Sequence, residues 1–359
     1  MSESPVPTPV VRSDAHLAHT GLLELTGGQP VPCYEAPERA IEIERALSAQ
    51  DGYAFTEPED FVTDPILAVH ESALLDVVQH AWTDAVAAGD AAEGSPLFPD
   101  TFKLASYVGP MELPETPPAA HLRLGAYCFD TATPIVAGTA AAARRAVDVA
   151  LTAARQVVDG APLAYGLCRP PGHHAARGML GGYCFFNNAA ITAEWLRREG
   201  GFRRVAILDV DYHHGNGTQQ IFWERGDVLY VSLHADPARA YPYFSGYAAE
   251  RGAGEGLGAT LNLPQPVGTR LDAYASSLER GLEAIRGFAP DAPLVLSLGF
   301  DTFWRDPIGD LGLQTADYRA IGAMVAGLGM PVVALQEGGY AIDAIGANAV
   351  SFLGGLRGA

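Results

Sequence analysis

Five short segments gather histidine, aspartate and tyrosine just beyond apolar runs: RPPGHH at 169–174, DVDYHHGNG at 209–217, His234, GFDT at 299–302 and EGGY at 337–340. Asp211 and His213 are alternate residues past one such run, so an oxygen and a nitrogen can face one point, and Asp301 can reach that point from a neighbouring strand end. Three O/N ligands leave a coordination position open. That is the pattern of a catalytic Zn²⁺ site, where bound water is acidified and a carbonyl polarised, although the same donors suit Mn²⁺ or Fe²⁺. An Asp at a strand end also caps the helix that follows, and spacing alone leaves that reading open.

His173 and His174 follow two prolines and a glycine that fix the backbone. Adjacent imidazoles can serve as general base and electrostatic partner at one water, each needing an acceptor to set its tautomer; Asp209 and Asn216 are the candidates. The pair can equally be two loop histidines without a joint role. Tyr340 follows two glycines, a turn able to swing its phenol toward a tetrahedral oxyanion. His214 and His234 read as supporting histidines rather than ligands. His16, His19, His70, His80 and His121 receive no role from spacing. Tyr183 and Tyr241 lie in Gly- or Pro-bearing loops beside the same edge, where a flanking pair would suit an unbranched alkyl chain.

Such groups meet only if the elements behind them form one edge. From about residue 136, Ala-rich helical segments alternate with short β-branched runs, the βαβ pattern of an α/β protein with a parallel sheet. Strands are predicted at Leu163 to Cys168, Arg204 to Val210, Val228 to Leu233, Pro293 to Leu298 and Pro331 to Leu335, mostly apolar on both faces. Helices are predicted at about 66–89, 138–159, 187–199, 271–288, 315–329 and 342–356. In an open parallel sheet the ligand site lies at the carboxyl ends of the strands, where the five segments fall. Six prolines within 94–120 forbid a long helix and imply an extended excursion. A single domain over 1–359 is expected.

The composition limits the partners. The 359 residues are 48% hydrophobic, with 23 Lys+Arg against 42 Asp+Glu, a net charge of −19. Such a surplus disfavours a phosphate-binding surface, so no nucleic-acid partner is expected, and no stretch is long and apolar enough for a membrane span. The N-terminal segment lacks a basic, then apolar, leader pattern, which predicts a cytoplasmic location. Four cysteines without CxxC pairing fit reduced, buried thiols.

Taken in order, RPPGHH, GGYCFFNN at 181–188, DVDYHHGNGTQ at 209–219, VSLH at 231–234, GFDTFWRDP at 299–307 and EGGY resemble the zinc-dependent histone deacetylase superfamily. Within it the likeness is to the bacterial acetylpolyamine amidohydrolases. The resemblance runs from the YEAPERA segment at 34–40 to the last helix. It implies the arginase/deacetylase fold, a parallel eight-stranded sheet between helices. It implies Asp211, His213 and Asp301 as ligands of one Zn²⁺, His174 as general base beside His173, and Tyr340 as oxyanion donor. Gly182, Tyr183, Tyr241 and Ile308 match a narrow substrate tunnel. It also implies K⁺ through positions matching Asp209, Asp211, His213, Ser232 and Leu233, and a peripheral K⁺ at Phe222, Arg225 and Val228. Arginases hold two manganese ions but carry a further Asp where this chain has Thr302–Phe303, which favours a mononuclear centre.

Two positions depart from that pattern. Many deacetylases have Asp where Asn216 stands. Polyamine-specific members carry acidic residues in a dimer-contributed loop, where His121 and Ala132 stand here, leaving Asp130 as the nearby carboxylate. The expected activity is zinc-dependent hydrolysis of a small acyl amide, with acetyl first, on a slender amine such as an acetylpolyamine. A protein acetyl-lysine deacetylase is the alternative, and a catalytically silent binding module of the same fold the second. A homodimer is expected, with the 94–120 excursion narrowing the partner's tunnel. With so little negative charge in view at the tunnel mouth, long polyamines are expected to gain little over a short neutral acetylated amine.

Overall fold

The computed structural model describes residues 7–104 and 119–358. Its strands are β1 (Thr8–Val11), β2 (Leu23–Thr26), β3 (Gln29–Pro32), β4 (Tyr53–Thr56), β5 (Leu163–Gly166), β6 (Val205–Asp209), β7 (Val228–Ala235), β8 (Thr260–Gln265), β9 (Leu294–Leu298) and β10 (Val332–Gln336). Its helices are α1 (Glu38–Ser48), α2 (Asp64–Leu67), α3 (Ser72–Ala88), α4 (Ala120–Tyr127), α5 (Thr139–Val158), α6 (Asn188–Arg198), α7 (Asn216–Phe222), α8 (Leu271–Phe288), α9 (Thr315–Ala326) and α10 (Ile342–Arg357).

Eight strands form one parallel sheet in the order β4-β1-β5-β10-β9-β6-β7-β8, while β2 and β3 make a separate antiparallel hairpin. Alternation along the strands divides the core. Ile207, Val295 and Val333 point to the side covered by α3, α5 and α6, and Leu208, Leu296 and Ala334 point to the side covered by α1, α8, α9 and α10. All six are fully buried. Burying a large aliphatic side chain contributes about 1.5–3 kcal/mol, so both helical layers are needed to hold strands that are apolar on both faces.

The five strands expected from sequence are β5, β10, β9, β6 and β7, five neighbours in the middle of the sheet. Their register sets Asp209 opposite both Ser232 and Ser297, so the strand ends finish at one level. β1, β4 and β8 escape a search for doubly apolar runs: β4 alternates half-buried with exposed residues, and β8 contains Pro264 at an edge where a missing N–H is tolerated.

One helix differs from expectation. The segment 66–89 is broken, with α2 ending at Leu67 and α3 starting at Ser72. Tertiary bonds replace helical ones there: the Glu71 N–H donates to the Arg177 carbonyl at 2.9 Å, and the His70 imidazole bonds the Ala176 carbonyl at 2.9 Å. Most of the Pro-rich excursion, residues 105–118, lies outside the described residues; α4 begins at its far end. Among the described residues no helix is long and apolar enough to cross a membrane.

Candidate active site

The end of β6 delivers Asp209, Asp211 and His213 in alternation, and the end of β9 delivers Asp301. Backbone N–H groups aim the carboxylates. Asp211 accepts from His213 N at 2.8 Å through Oδ1 and from Gly338 N at 2.7 Å through Oδ2, and Asp301 Oδ1 accepts from Tyr212 N at 2.8 Å. One donor atom from each of Asp211, His213 and Asp301 lies within 4.8 Å of the others, and all three residues are buried. Position 338 must be glycine here, because a Cβ would collide with the facing oxygens of both aspartates.

The site is built to hold positive charge. Burial lowers the pKa of His213, but its bonds to Asp211 and Asp301 and their charges raise it to about 9. Burial and the charge of Asp211 push Asp301 up, whereas His173 and His213 hold Asp211 down against its own burial. Two buried carboxylates and an imidazole converging on one point fit a divalent cation with O/N preference.

The rings of His173 and His174 lie tilted by 50° with centroids 4.1 Å apart, yet their pKa values shift in opposite directions. The Nδ1 of His173 bonds Asp209 Oδ2 at 3.0 Å. Burial opposes its charge, but Asp209, Asp211 and Glu337 raise its pKa to about 10. His174 Nδ1 lies 2.7 Å from Asn216 Oδ1, an acceptor only, so Nδ1 carries the proton and Nε2 keeps a free lone pair. Burial, with the charges of His173 and His213, lowers the His174 pKa well below 6.5. The result is an imidazolium beside a neutral imidazole. Beneath them Glu337 accepts the N–H groups of Gly172 at 2.7 Å and His173 at 3.1 Å, and Ser297 donates to its other oxygen at 3.0 Å. Burial raises the Glu337 pKa to about 7, against the pull of His173.

Tyr340 sits on the turn after β10. Its backbone N–H donates to Asp306 Oδ2 at 2.7 Å, as does that of Ala341 at 3.2 Å, while the Ile308 N–H donates to Asp306 Oδ1 at 3.1 Å. One buried carboxylate thus ties two loops together. Arg39 secures the same turn through the carbonyls of Gly339, at 2.6 Å, and Glu337, and its guanidinium lies 4.7 Å from the Tyr340 ring centroid. Burial raises the Tyr340 pKa well above 10, partly offset by Arg39, so the phenol remains a donor. Spacing gave Asp306, Arg39 and Glu337 no role, although Asp306 and Glu337 fall inside the motifs.

His174, His213 and Tyr340 line a cavity of about 360 Å³ whose walls include Gly182, Tyr183, Tyr241 and Ile308. Tyr241 meets the His174 ring edge-on at 5.0 Å, and Tyr183 meets Tyr340 at 5.8 Å. Gly182 has φ +57° and packs on His174, so a side chain there would be strained and would strike the imidazole.

The mouth differs from the sequence expectation. Asp130 is already engaged, accepting from Gly182 N at 2.6 Å, Tyr241 Oη at 2.8 Å and Ala132 N at 3.1 Å, so it braces the walls. Ala132 lines the cavity, but His121 lies between Asp90 and Asp100 beside a different pocket. Among the described residues, the carboxylate that lines the cavity is Glu24 on the β2–β3 hairpin, which accepts the Tyr183 hydroxyl at 2.6 Å. No local pattern marks it: LELT reads as an ordinary short strand, and only the folded hairpin brings it there.

The remaining residues support this edge. Ser232 and Leu233 lie on β7 beside Asp209, while Phe222, Arg225 and Val228 surround the turn from α7 into β7, where the Arg225 N–H donates to the Phe222 carbonyl at 3.0 Å. His234 is held by Ser232 at 2.7 Å and the Gly246 carbonyl at 2.8 Å, and His214 by Ser245 at 3.0 Å. His70 joins the Ala176 carbonyl to the Asn187 N–H, and the Asn187 side chain holds the Ala175 carbonyl at 3.0 Å, so a histidine given no role underpins the loop of His173 and His174.

The family model for the histone deacetylase domain matches residues 33–356. The chain is 46% identical to acetylpolyamine amidohydrolase 1 of Pseudomonas aeruginosa over 97% of its own length and 99% of that protein, and 40% identical to acetylpolyamine amidohydrolase of Mycoplana ramosa over 97% and 99%. A crystal structure of acetylpolyamine aminohydrolase from Burkholderia pseudomallei superposes with a TM-score of 0.89 at 39% identity, covering 97% of this chain and 98% of that one.

Proposed function

The chain belongs to the histone deacetylase domain family and is an amidohydrolase of the deacetylase type, and we propose that it removes acetyl from the amine end of small, slender substrates, acetylated polyamines and diamines among them. One observation carries the reading: His213 of a buried donor triad, an imidazole with a free Nε2 and a tyrosine phenol line one narrow cavity, with Asp211 and Asp301 grouped behind His213. We assign Asp211, His213 and Asp301 to a single Zn²⁺, which when bound supplies a Lewis acid that polarises the amide carbonyl and acidifies water. K⁺ at the Asp209, Asp211, His213, Ser232 and Leu233 positions belongs to the same proposal, as does the peripheral position at Phe222, Arg225 and Val228.

The protein's own groups then divide the work. His174 Nε2 takes the proton from the attacking water as the new C–O bond forms. Its pKa, held down by burial and by His173, keeps it unprotonated at neutral pH and ready to accept. Tyr340 donates its phenolic hydrogen to the carbonyl oxygen as negative charge develops. His173, charged against Asp209, adds a fixed positive field. When the C–N bond breaks, the proton passes from His174 to the leaving nitrogen, giving acetate and a free amine. Tyr183 and Tyr241 flank an unbranched chain, and the Glu24 carboxylate offers a partner to an ammonium at its far end.

A homodimer completes the proposal. Phe244 is 95% exposed at the edge of a groove of about 990 Å³ that carries Phe129, Met179 and Trp223 among polar residues such as Arg177 and Glu224, an amphipathic surface suited to cover by a second copy. Light scattering that finds only monomer would remove this part. A cytoplasmic setting fits the four free, buried cysteines.

The test of the activity is a kinetic screen of zinc-loaded protein against acetylputrescine, acetylcadaverine, acetylspermidine and an acetyl-lysine peptide. Turnover of the acetylated amines supports the reading; turnover of the peptide alone would replace it with a protein deacetylase, and none at all would leave a binding module.

A further inference from the structure

The cavity mouth carries two fixed charges of opposite sign. Among the described residues that line it, apart from the histidines, Glu24 is the one acid and Arg239 the one base. Glu24 is recessed, 8% exposed, with Tyr183 donating to one oxygen at 2.6 Å and Thr26 to the other at 3.4 Å. Arg239 is exposed and enters no ion pair formed among the described residues.

The backbone of Arg239 is nonetheless fixed. Its N–H and that of Ala240 donate to the Asp236 carbonyl at 2.9 and 3.0 Å, in the turn that follows β7. Two residues on, Tyr241 is locked into the cavity wall by its bond to Asp130. Arg239 thus stands on an anchored base at the cavity rim. A chain with a net charge of −19 draws cations from a distance, but that attraction is screened beyond roughly 8 Å at physiological salt, so the local pair decides what the mouth accepts. A guanidinium presents a planar fork that matches a carboxylate and repels an ammonium.

We propose that Arg239 is a specificity-determining residue and that the mouth reads a zwitterion: a free α-amino acid acetylated on its side-chain amine, its α-carboxylate on Arg239 and its α-ammonium on Glu24. This rests on the amidohydrolase reading above and names a substrate class within it. Acetylated diamines still enter, using Glu24 alone, while a polyamine that extends a further ammonium past the rim meets Arg239.

Nε-acetyl-lysine and its α-carboxamide share the ammonium and the scissile amide and differ in the carboxylate; acetylcadaverine has the same alkyl chain without it. The ratio of kcat/KM for Nε-acetyl-lysine to that for its carboxamide is insensitive to losses common to both substrates. In the zinc-loaded wild-type protein that ratio is expected to be about threefold or more. Arg239→Gln brings it to about one, and Arg239→Glu inverts it, a swing of tenfold or more that shrinks in high salt. A ratio at or below one in wild type, or one that Arg239→Glu leaves within twofold, overturns the inference while turnover of acetylcadaverine leaves the amidohydrolase reading standing. Absence of turnover on all three substrates overturns both.

Discussion

The inner end of the cavity and its mouth are built on different principles. At the inner end every reactive side chain is buried and aimed by hydrogen bonds from the segments that follow central strands: Asp211 by Gly338 and His213, His174 by Asn216, and the Tyr340 turn by Asp306. At the mouth the contributors are a two-stranded hairpin outside the main sheet, an exposed arginine and exposed Tyr243. Chemistry thus rests on the part of the fold that cannot move without breaking the core, and recognition rests on parts that can be exchanged at little cost. Buried, desolvated groups lose several kcal/mol when their partners go, whereas an exposed charge contributes about 0–1 kcal/mol.

That contrast ranks the consequences of substitution. The largest effect is expected for Asp301→Ala, which removes one of three donors: elemental analysis should find zinc lost from about one per chain to near zero, and turnover should vanish. Zinc retained at full stoichiometry would show that the centre lies elsewhere.

Asp306→Ala should come next, with kcat down by about 10- to 100-fold and substrate affinity little changed. It strands three N–H groups and frees the turn that carries Tyr340, and small displacements of a reacting group cost up to roughly 10² in rate. In a Tyr340→Phe background the same change should add less than about threefold, because both act through one phenol. Full additivity would make Asp306 a general structural brace.

The inner end should also set the response to acid. His19, His70 and His234 are buried, and burial lowers each pKa to about 4 from 6.5. Each group contributes fully above pH 6.5, where folded and unfolded chains are both neutral. Between 6.5 and 4 the unfolded chain binds more protons, so stability falls with pH, by roughly 2 kcal/mol per histidine at pH 5. Glu337, raised to about 7, takes up a proton in the same window and offsets part of this loss, so the test is a difference: denaturant titrations at pH 7.5 and 5 should show a smaller loss, or a larger gain, in His70→Gln than in wild type. An identical pH response in the two proteins would place charge on the His70 imidazole in the folded state.

The sequence revealed these two regions unequally. β5, β6, β7, β9 and β10 could be read because central parallel strands are apolar on both faces, and the residues just beyond them are the ones that meet. Asp211, His213 and Asp301 were legible as strand-end residues, and His174 as one of a rigid pair. The edge strands β4 and β8 were not, since an edge strand needs only one apolar face or tolerates a proline, and β1 offers only the four residues Thr8–Val11. Glu24 was invisible for a different reason: its role depends on a contact with Tyr183, 159 residues away, and nothing local in LELT encodes that. His121, matched by motif alignment to a loop that acts across a dimer, lies within its own chain beside Asp90 and Asp100.

The smallest effect is expected at the mouth. Glu24→Gln removes a charge while keeping an acceptor for Tyr183, and should raise the KM for acetylcadaverine about three- to tenfold with kcat nearly unchanged. A collapse of kcat would mean that the hairpin positions the chemistry as well as the substrate.

Chemistry confined to the inner end is tested most directly by steady-state kinetics of zinc-loaded Tyr340→Phe on acetylputrescine, alongside its zinc content. The phenol bonds the oxygen chiefly as charge develops, so kcat should fall by about 10²- to 10³-fold while KM stays within about threefold and zinc remains at one per chain. A raised KM with kcat intact would contradict this division, making Tyr340 a contact for the bound substrate and leaving the oxyanion without its protein donor.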